Sequence, residues 1–359
     1  MNEKNRYGGI DLLRFMMAFF IVFHHYQQLT GLRLHIINFW NGRFYWGRLV
    51  ECFFLISGMM AGYSLPKLRE KDFSVIGYLR RKAMRLLPLP AVSVLVYELL
   101  NVVYKVLNAE FTWVLPTTLD LKGMLISFMG MQSWGLWKDP MINNPIWYIS
   151  ILWLCQIVFG ILVRLIKDNR WLYGCCLAIV VGFAQYRLRH FGVGIHADHV
   201  VTGMYSFFFG IILGVMLMRV SISDVSGLIC ICVAAAYIFT YLHGVYFLVR
   251  YEIAFMTYLV FPCILILMQC PMMQRCFNNR KIRCLGELSF DIYVWHIPVL
   301  YVIFLFNDRM NGLFPVGRRR GMAAFTLIVL IAAVISYLMR RKIDNKIHET
   351  RKRRLDNGE

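Results

Sequence analysis

Charged residues are scarce in this sequence, and acidic residues are about half as frequent as basic ones. Only 16% of the 359 residues are charged, with 20 Asp and Glu against 39 Lys and Arg. Because 59% of the residues are hydrophobic, a soluble globule of this length would have too little polar surface. The apolar residues form runs of roughly 20 positions rather than ten-residue alternations, which excludes a barrel. The sequence therefore predicts an all-α, polytopic transmembrane helical bundle.

Several functional motifs are also missing. There is no Walker-type loop, dinucleotide fingerprint, internal repeat or low-complexity tract. Cys270, Cys276 and Cys284 lack the spacing of a zinc ribbon, and most of the ten cysteines lie inside apolar runs. Neither a metal site nor a disulfide framework is expected. No small-residue cleavage site follows the first apolar run, so we interpret this run as a retained helix.

About ten membrane spans are predicted by the length criterion. They fall near 9–29, 44–64, 86–107, 145–166, 171–188, 200–218, 226–243, 251–269, 285–306 and 321–338. The segment 121–137 is apolar but short and is interrupted by Gly130 and Gly135. We interpret it as a re-entrant or interfacial segment.

The net charge of +19 is a topology signal rather than a nucleic-acid-binding face, because Lys and Arg gather in alternate loops. The basic residues lie at Lys67, Arg69, Lys71, Arg80, Arg81, Lys82, Arg85, Arg275, Arg280, Lys281, Arg283 and along the C-terminal segment. The positive-inside rule then predicts that both termini are cytoplasmic, with residues 1–340 as the transmembrane domain and 341–359 as a basic cytoplasmic tail. Only the loop with Arg309 and Arg318 disagrees.

The first apolar run carries ionisable side chains that are costly at membrane depth, which indicates a function. Arg14 and His25 are eleven positions apart, or roughly 16 Å along a helix. A membrane-buried imidazole in its neutral form can act as a base. His24 is adjacent and points about 100° away, and Asp11 is placed to pair with Arg14.

Two further segments combine polar and small or basic residues. Glu51 is a lone acid entering the second span, and it needs a cationic or imidazole partner. Ser57 and Gly58 permit the close approach of a helix or a ligand, although packing alone explains them. Lys82 and Arg85 share a helix face before the third span, where they would bind lipid phosphates or a polyphosphate ligand.

The ninth predicted span places Ser289, Tyr293 and His296 on one helix face, which is able to meet the first helix. A second polar group lies in a predicted outer loop, and its spacing favours a solvated or acceptor-contacting loop over a metal site. This group comprises His190, His196, Asp198 and His199.

Taken in order, these motifs resemble the integral-membrane acyltransferase family 3 over nearly the whole chain. The motifs are Asp11-x2-Arg14-x10-His25, Glu51-x-Phe-Phe-x2-Ser57-Gly58, Lys82-x2-Arg85-x2-Pro88, Pro145-x-Trp147 and Ser289-x3-Tyr293-x2-His296-x-Pro298. The resemblance implies about ten helices in a bacterial plasma membrane and transfer of an acyl group, commonly acetyl from acetyl-CoA, to a hydroxyl. The implied acceptor is an extracytoplasmic glycan or a lipid-linked molecule.

The resemblance also implies residue roles. His25 corresponds to the catalytic histidine, and Lys82 and Arg85 to a basic pair near the CoA phosphates, with Lys where the family usually has Arg. Many glycan-acetylating members have a Glu soon after the position of Trp147, but Ile151 and its neighbours occupy that place here.

A mechanism follows from these expectations. Arg14, Lys82 and Arg85 would bind acyl-CoA, with Ser57 near the donor, and His25 would deprotonate the acceptor or take the acyl group itself. Glu51 would orient His25 or hold its tautomer, and Ser57, Tyr293 or His296 would donate to the developing oxyanion. Ser289 would complete the site on the same helix face as Tyr293 and His296. No metal is expected, and the partners are acyl-CoA, the acceptor and membrane lipids. The alternative is a proton-coupled transporter, because intramembrane His, Glu and Arg also mark proton relays.

Overall fold

A computed structural model describes residues 7–31, 46–70, 73–107, 120–136, 142–189, 195–244, 251–309 and 319–356. These residues form thirteen α-helices and no strand, which confirms the all-α prediction. The helices are α1 (Gly8–Thr30), α2 (Leu49–Leu68), α3 (Val75–Leu86), α4 (Pro88–Val106), α5 (Leu121–Phe128), α6 (Trp147–Leu165), α7 (Asn169–Arg189), α8 (Ile195–Leu217), α9 (Asp224–Leu242), α10 (Glu252–Leu267), α11 (Pro271–Phe277), α12 (Arg280–Arg309) and α13 (Arg319–Asp356).

Eight of the described helices are long and apolar enough to cross a membrane, which confirms a polytopic bundle. They are α1, α2, α4, α6, α8, α9, α12 and α13. Helices α10 and α11 are bent by 62° at their junction and make a ninth span if they are counted as one. Each of the ten predicted spans falls on a helix, but α7 is not among the helices whose described residues are apolar enough to cross a membrane.

The segment 121–137 contains only one short helix within its described residues. Helix α5 has eight residues, or about 12 Å, which is too short to span the hydrocarbon core. The chain after it is attached to α6, where the indole nitrogen of Trp134 donates to the carbonyl of Ser150 at 3.1 Å. This geometry agrees with a non-spanning segment.

Helices α2 and α8 pack closely because glycines line their contact. Gly58 lies against the Phe207 carbonyl of α8, where an added Cβ would stand 1.9 Å from the oxygen. Gly210 lies in turn against the Leu55 carbonyl of α2. The Ser57-Gly58 pair therefore serves packing at Gly58, as small residues at four-residue spacing do in membranes.

Helix α12 packs along α1 over much of its length. Gly286 lies against the Asp11 carboxylate, where a Cβ would clash at 2.4 Å. Near the other end of the contact, the rings of His25 and His296 are 5.2 Å apart. The predicted meeting of the first helix with the polar face of α12 is thus present in the fold.

The ends of the bundle differ in charge, and we call the one that holds the start of α1 the basic end. Arg69, at the end of α2, donates to the Val163 carbonyl of α6 and to Asn169 of α7 at 2.9 and 3.0 Å. The Gly8 amide donates to Gln274 of α11 at 3.2 Å. Most described Lys and Arg residues outside the spans lie on the segments that meet here, including amphipathic α3. Helix α13 runs without interruption across the predicted boundary between residues 340 and 341.

Candidate active site

A pocket of about 350 Å³ opens between the helices at the opposite end of the bundle, which we call the pocket end. It lies near the C-terminal end of α1 and the N-terminal ends of α2, α6 and α8. Its polar lining includes His24, His25, Gln28, Arg48, Glu51, Asn144, Arg187, Asp198, His199, Thr202 and Tyr293. Three of the predicted catalytic residues, His25, Glu51 and Tyr293, therefore line one cavity from three different helices.

Both histidines of α1 line this pocket, and their rings are 5.4 Å apart. The His25 imidazole has the Gln28 side chain as a hydrogen-bond partner one helical turn away. On its other side stands His296 of α12. His25 is consequently the histidine that connects the pocket with the interior of the bundle.

His296 is completely buried behind His25 and is not part of the pocket lining. Its Nδ1 lies 2.6 Å from the carbonyl oxygen of Tyr293. Because a carbonyl only accepts, Nδ1 must carry the proton, which leaves a lone pair on Nε2 when the ring is neutral. Within the described part of the chain, Nε2 has no hydrogen-bond partner.

The other two polar residues of this α12 face donate their protons to backbone carbonyls. The Tyr293 hydroxyl donates to the Pro145 carbonyl, and the Ser289 hydroxyl donates to Gly286 at 2.8 Å. Tyr293 lines the pocket, whereas Ser289 lies nearer the basic end and outside the lining. These bonds favour structural roles for both hydroxyls over oxyanion donation.

A proline in α12 frees a backbone carbonyl that binds the segment just before α6, beside the site. Pro298 has no amide proton, so the Val294 carbonyl loses its helical partner. The Asn143 side chain donates to that carbonyl at 3.2 Å and to Ser93 at 3.0 Å. Asn143 adopts a left-handed conformation with φ of 46°, which an Asn tolerates better than most residues.

Glu51 is buried, and its contacts differ from the prediction that it orients His25. Thr257 donates to its Oε2 at 2.8 Å, and Arg48 lies 3.4 Å from its Oε1. Arg48 also faces Glu252 of α10 at 3.9 Å. Thr257 lies in a π-helical turn, Met256–Val260, which widens α10 at this point. Among the described residues, Glu51 therefore belongs to an ion-pair network rather than to a His25 pair.

The side of the pocket formed by α6, α7 and α8 contains a second ion pair and an aromatic stack. Arg187 of α7 lies 2.5 Å from Asp198 of α8. The rings of Trp147 and His199 stack with centroids 4.0 Å apart and an 8° angle. Asp198 and His199 thus lie on the first turns of α8 rather than in a loop. The side chains of His190 and His196 fall outside the described residues.

The predicted donor-binding residues lie away from the pocket. Lys82 and Arg85 are on α3 at the basic end, and the Lys82 Nζ is 5.4 Å from the centre of the Tyr78 ring. Burial of its side chain, together with neighbouring Arg85 and Arg81, lowers the pKa of Lys82 to about 8. Such an ammonium group still binds phosphate at neutral pH.

Arg14 and Ser57 lie deeper in the bundle than Lys82 and Arg85. The Arg14 guanidinium is 3.8 Å from Asp11 and within electrostatic range of the Tyr148 hydroxyl. Ser57 and Tyr148 share a hydrogen bond of 3.3 Å. The Tyr148 ring is in turn 5.6 Å from Tyr293, which lines the pocket. These polar groups lie between the basic end and the pocket, and they interact with each other in sequence from Arg14 to Tyr293.

The sequence interpretation missed Arg48, Arg187 and Thr257. Arg48 precedes Glu51 by three positions, which was a usable signal for a pair on one helix face. Arg187 and Thr257 come from distant helices, and no local pattern connects them with Glu51. No group of metal-binding side chains occurs among the described residues.

Comparison with known proteins gives one match. A family model described as an acyltransferase domain, that of acyltransferase family 3, matches residues 7–341. No curated protein and no solved structure matches the chain. The matched range includes the pocket residues and the basic end.

Proposed function

Because the chain belongs to acyltransferase family 3 and is therefore a membrane acyltransferase, we propose that it moves an acetyl group from acetyl-CoA to an acceptor hydroxyl. The observation that carries this proposal is the position of His25 in a pocket at one end of the bundle, with a basic cluster at the other. The donor would bind at the basic end, and the acceptor would enter the pocket. The rival transporter hypothesis has no such support from the family.

The basic cluster fits the polyanionic part of acyl-CoA. Lys82 and Arg85 lie on one face of α3, and Arg81 adds a third cation nearby. Charge-assisted hydrogen bonds from such groups are strong interactions for phosphates. The pantetheine arm would then extend into the bundle past Arg14, toward Ser57 and Tyr148.

His25 supplies the chemistry in either of two ways. As a base, it takes the acceptor hydroxyl proton while the oxygen bonds to the thioester carbonyl carbon; the C–S bond then breaks and the proton passes from His25 to the CoA thiolate. As a nucleophile, its ring nitrogen first bonds to the thioester carbonyl carbon and the C–S bond breaks, so that CoA leaves as thiolate. The acceptor oxygen then bonds to the same carbon, the bond to His25 breaks, and the hydroxyl proton passes to the thiolate. In both routes the atoms balance without a metal or a further cofactor.

The Ser57 and Tyr148 pair is the best donor for the developing oxyanion. The two hydroxyls carry two protons, and the bond between them uses one. The second proton has no acceptor among the described residues and would stabilise negative charge on the thioester oxygen, with Arg14 adding a positive field. Tyr293 and His296 are less suited, because their protons already bind carbonyls.

The pocket charges support an uncharged acceptor, such as a neutral sugar hydroxyl. Arg48 faces Glu51 and Glu252, and Arg187 faces Asp198, so both lining guanidiniums have carboxylate partners. The described lining therefore offers no excess of positive charge for a phosphate or carboxylate. The Trp147 and His199 rings add an apolar surface of the kind that packs on a sugar ring.

The positive-inside rule supports placing the basic end and both termini in the cytoplasm. Acyl-CoA would then bind from the cytoplasm, and the pocket would open toward the outside of a bacterial plasma membrane. This arrangement suits a glycan or lipid-linked acceptor of the cell envelope.

The proposal predicts that His25→Ala abolishes acetyl-CoA turnover, whereas His24→Ala retains most of it. We expect a loss of roughly 100-fold or more for His25→Ala, because a positioned base contributes on this scale. The measurement is release of the CoA thiol by purified protein in detergent, where no ion gradient exists. His24 is a matched control, since both side chains line the pocket. Wild-type turnover in His25→Ala would refute the role of His25.

A further inference from the structure

We propose that His296 is a positioning residue that holds His25 through a hydrogen bond between two imidazoles. This inference rests on the proposed role of His25 and adds to it the group that orients the ring and stabilises its protonated form. His296 does not touch the substrates, because it is completely buried behind His25 and outside the pocket lining.

The first argument is the tautomer of His296. Its Nδ1 lies against the carbonyl oxygen of Tyr293 at 2.6 Å, and the Ile292 carbonyl is a second backbone partner. Both partners only accept, so the proton stays on Nδ1. Nε2 therefore presents a lone pair, and it is buried without a hydrogen-bond partner among the described residues.

The second argument is the distance between the rings. Two imidazoles joined by an N–H···N hydrogen bond of about 3 Å have their centroids roughly 5 Å apart. The centroids of His25 and His296 are 5.2 Å apart, and their planes differ by 29°. In that arrangement one nitrogen of His25 would face Nε2 of His296, and the other nitrogen would exchange the Gln28 side chain for the acceptor hydroxyl.

The third argument is that the fold fixes the position of His296, while its Nε2 has no hydrogen-bond partner among the described residues and is open to His25. The segment around His296 is attached to the start of α6 by Tyr293, which donates to Pro145, and by Asn143, which donates to Val294. His25 lies across the well-packed contact between α1 and α12. A fixed, buried acceptor behind a base leaves that base correctly oriented throughout the reaction.

The proton balance of the reaction is unchanged by this residue. The acceptor hydroxyl gives its proton to one nitrogen of His25, whose other N–H donates to Nε2 of His296. After the C–S bond breaks, the proton leaves His25 for the thiolate. His296 keeps its single proton on Nδ1 at every step.

Two variants of His296 separate positioning from a structural role. His296→Asn keeps an N–H near the place of Nδ1 but loses the acceptor at Nε2, whereas His296→Gln brings an amide oxygen near the place of Nε2. We expect His296→Asn to lower kcat for acetyl-CoA hydrolysis at least roughly tenfold with little change in KM. His296→Gln should recover part of that loss. If His296 served only to bind the Tyr293 carbonyl, His296→Asn would be the more active variant.

The outcomes distinguish this inference from the proposed function. Wild-type kcat in His296→Asn, or equal losses in both variants, would overturn the role of His296 while His25→Ala still tests the base. A second measurement needs no activity: nitrogen NMR of the histidine-labelled wild type should show His296 protonated on Nδ1. The Nε2-protonated tautomer would overturn the inference even where a variant fails to fold.

Discussion

Single residues around the pocket differ in whether their polar atoms can make further hydrogen bonds. The hydroxyls of Ser289 and Tyr293 donate to backbone carbonyls and hold α12 in place. Within the part of the chain that the structure describes, one proton of the Ser57 and Tyr148 pair has no acceptor, and Nε2 of His296 has no donor. Hydroxyl groups of the same residue type therefore differ in the chemistry they can do, because some of them already donate to a backbone carbonyl.

Arg48 contacts the carboxylates of both Glu51 and Glu252. Arg48→Gln removes the guanidinium that contacts both Glu51, only 3% exposed, and Glu252. Glu51→Gln keeps the pair between Arg48 and Glu252. We expect Arg48→Gln to destabilise the protein by about 3 kcal/mol, the scale for breaking a buried pair, and Glu51→Gln to destabilise it clearly less.

Thermal unfolding of the two variants in the same detergent measures this difference. Equal decreases in Tm would show that Arg48 does not hold the two carboxylates as described.

The helices themselves were predictable from apolar length, but their pairing was not. The predicted spans coincide with helices because a long apolar run in a bilayer satisfies its backbone hydrogen bonds best as a helix, although the described part of α7 is not apolar enough to count as a span. The contact between α2 and α8 depends instead on glycines in two distant segments, Gly58 and Gly210. Hydropathy does not report which helices share such a surface.

The α2 and α8 contact predicts opposite effects for two glycine substitutions. Gly58→Ala places a Cβ 1.9 Å from a backbone oxygen of α8, so the helices must move apart. Overpacking of this kind costs about 1–3 kcal/mol. Gly174→Ala in α7 meets no atom within 4 Å and should be neutral or stabilising, since Ala favours a helix over Gly.

The yield of folded protein and its thermal stability in detergent are suitable measurements. A Gly58→Ala variant as stable as Gly174→Ala would contradict the close α2 and α8 contact.

At the scale of the whole molecule, the sequence predicted that His25 and the basic pair lie toward different ends, and the fold has Lys82 at the basic end and His25 in the pocket. The separation of roughly 16 Å between Arg14 and His25 was expected from the helical rise alone. The contact of Glu51 with Arg48 could be predicted from their spacing, but the contact with Thr257 could not, because Thr257 lies on a π-helical turn about 200 positions away. The catalytic and binding assignments remain predictions. The fold gives the contacts of each assigned side chain, and these contacts can be tested by substitution.

The separation of the two ends predicts that pH acts on donor binding through Lys82. Its pKa of about 8 means that its ammonium group loses a proton as the pH rises from 7 to 9. Binding of CoA phosphates should therefore weaken over this range, by up to roughly tenfold if only the charged form binds. Lys82→Arg keeps its charge at both pH values and should bind CoA with nearly constant affinity. The measurement is the Kd of CoA for both proteins at pH 7 and 9. An equal increase in Kd for wild type and Lys82→Arg would show that another group causes the pH dependence and that α3 does not form the phosphate site.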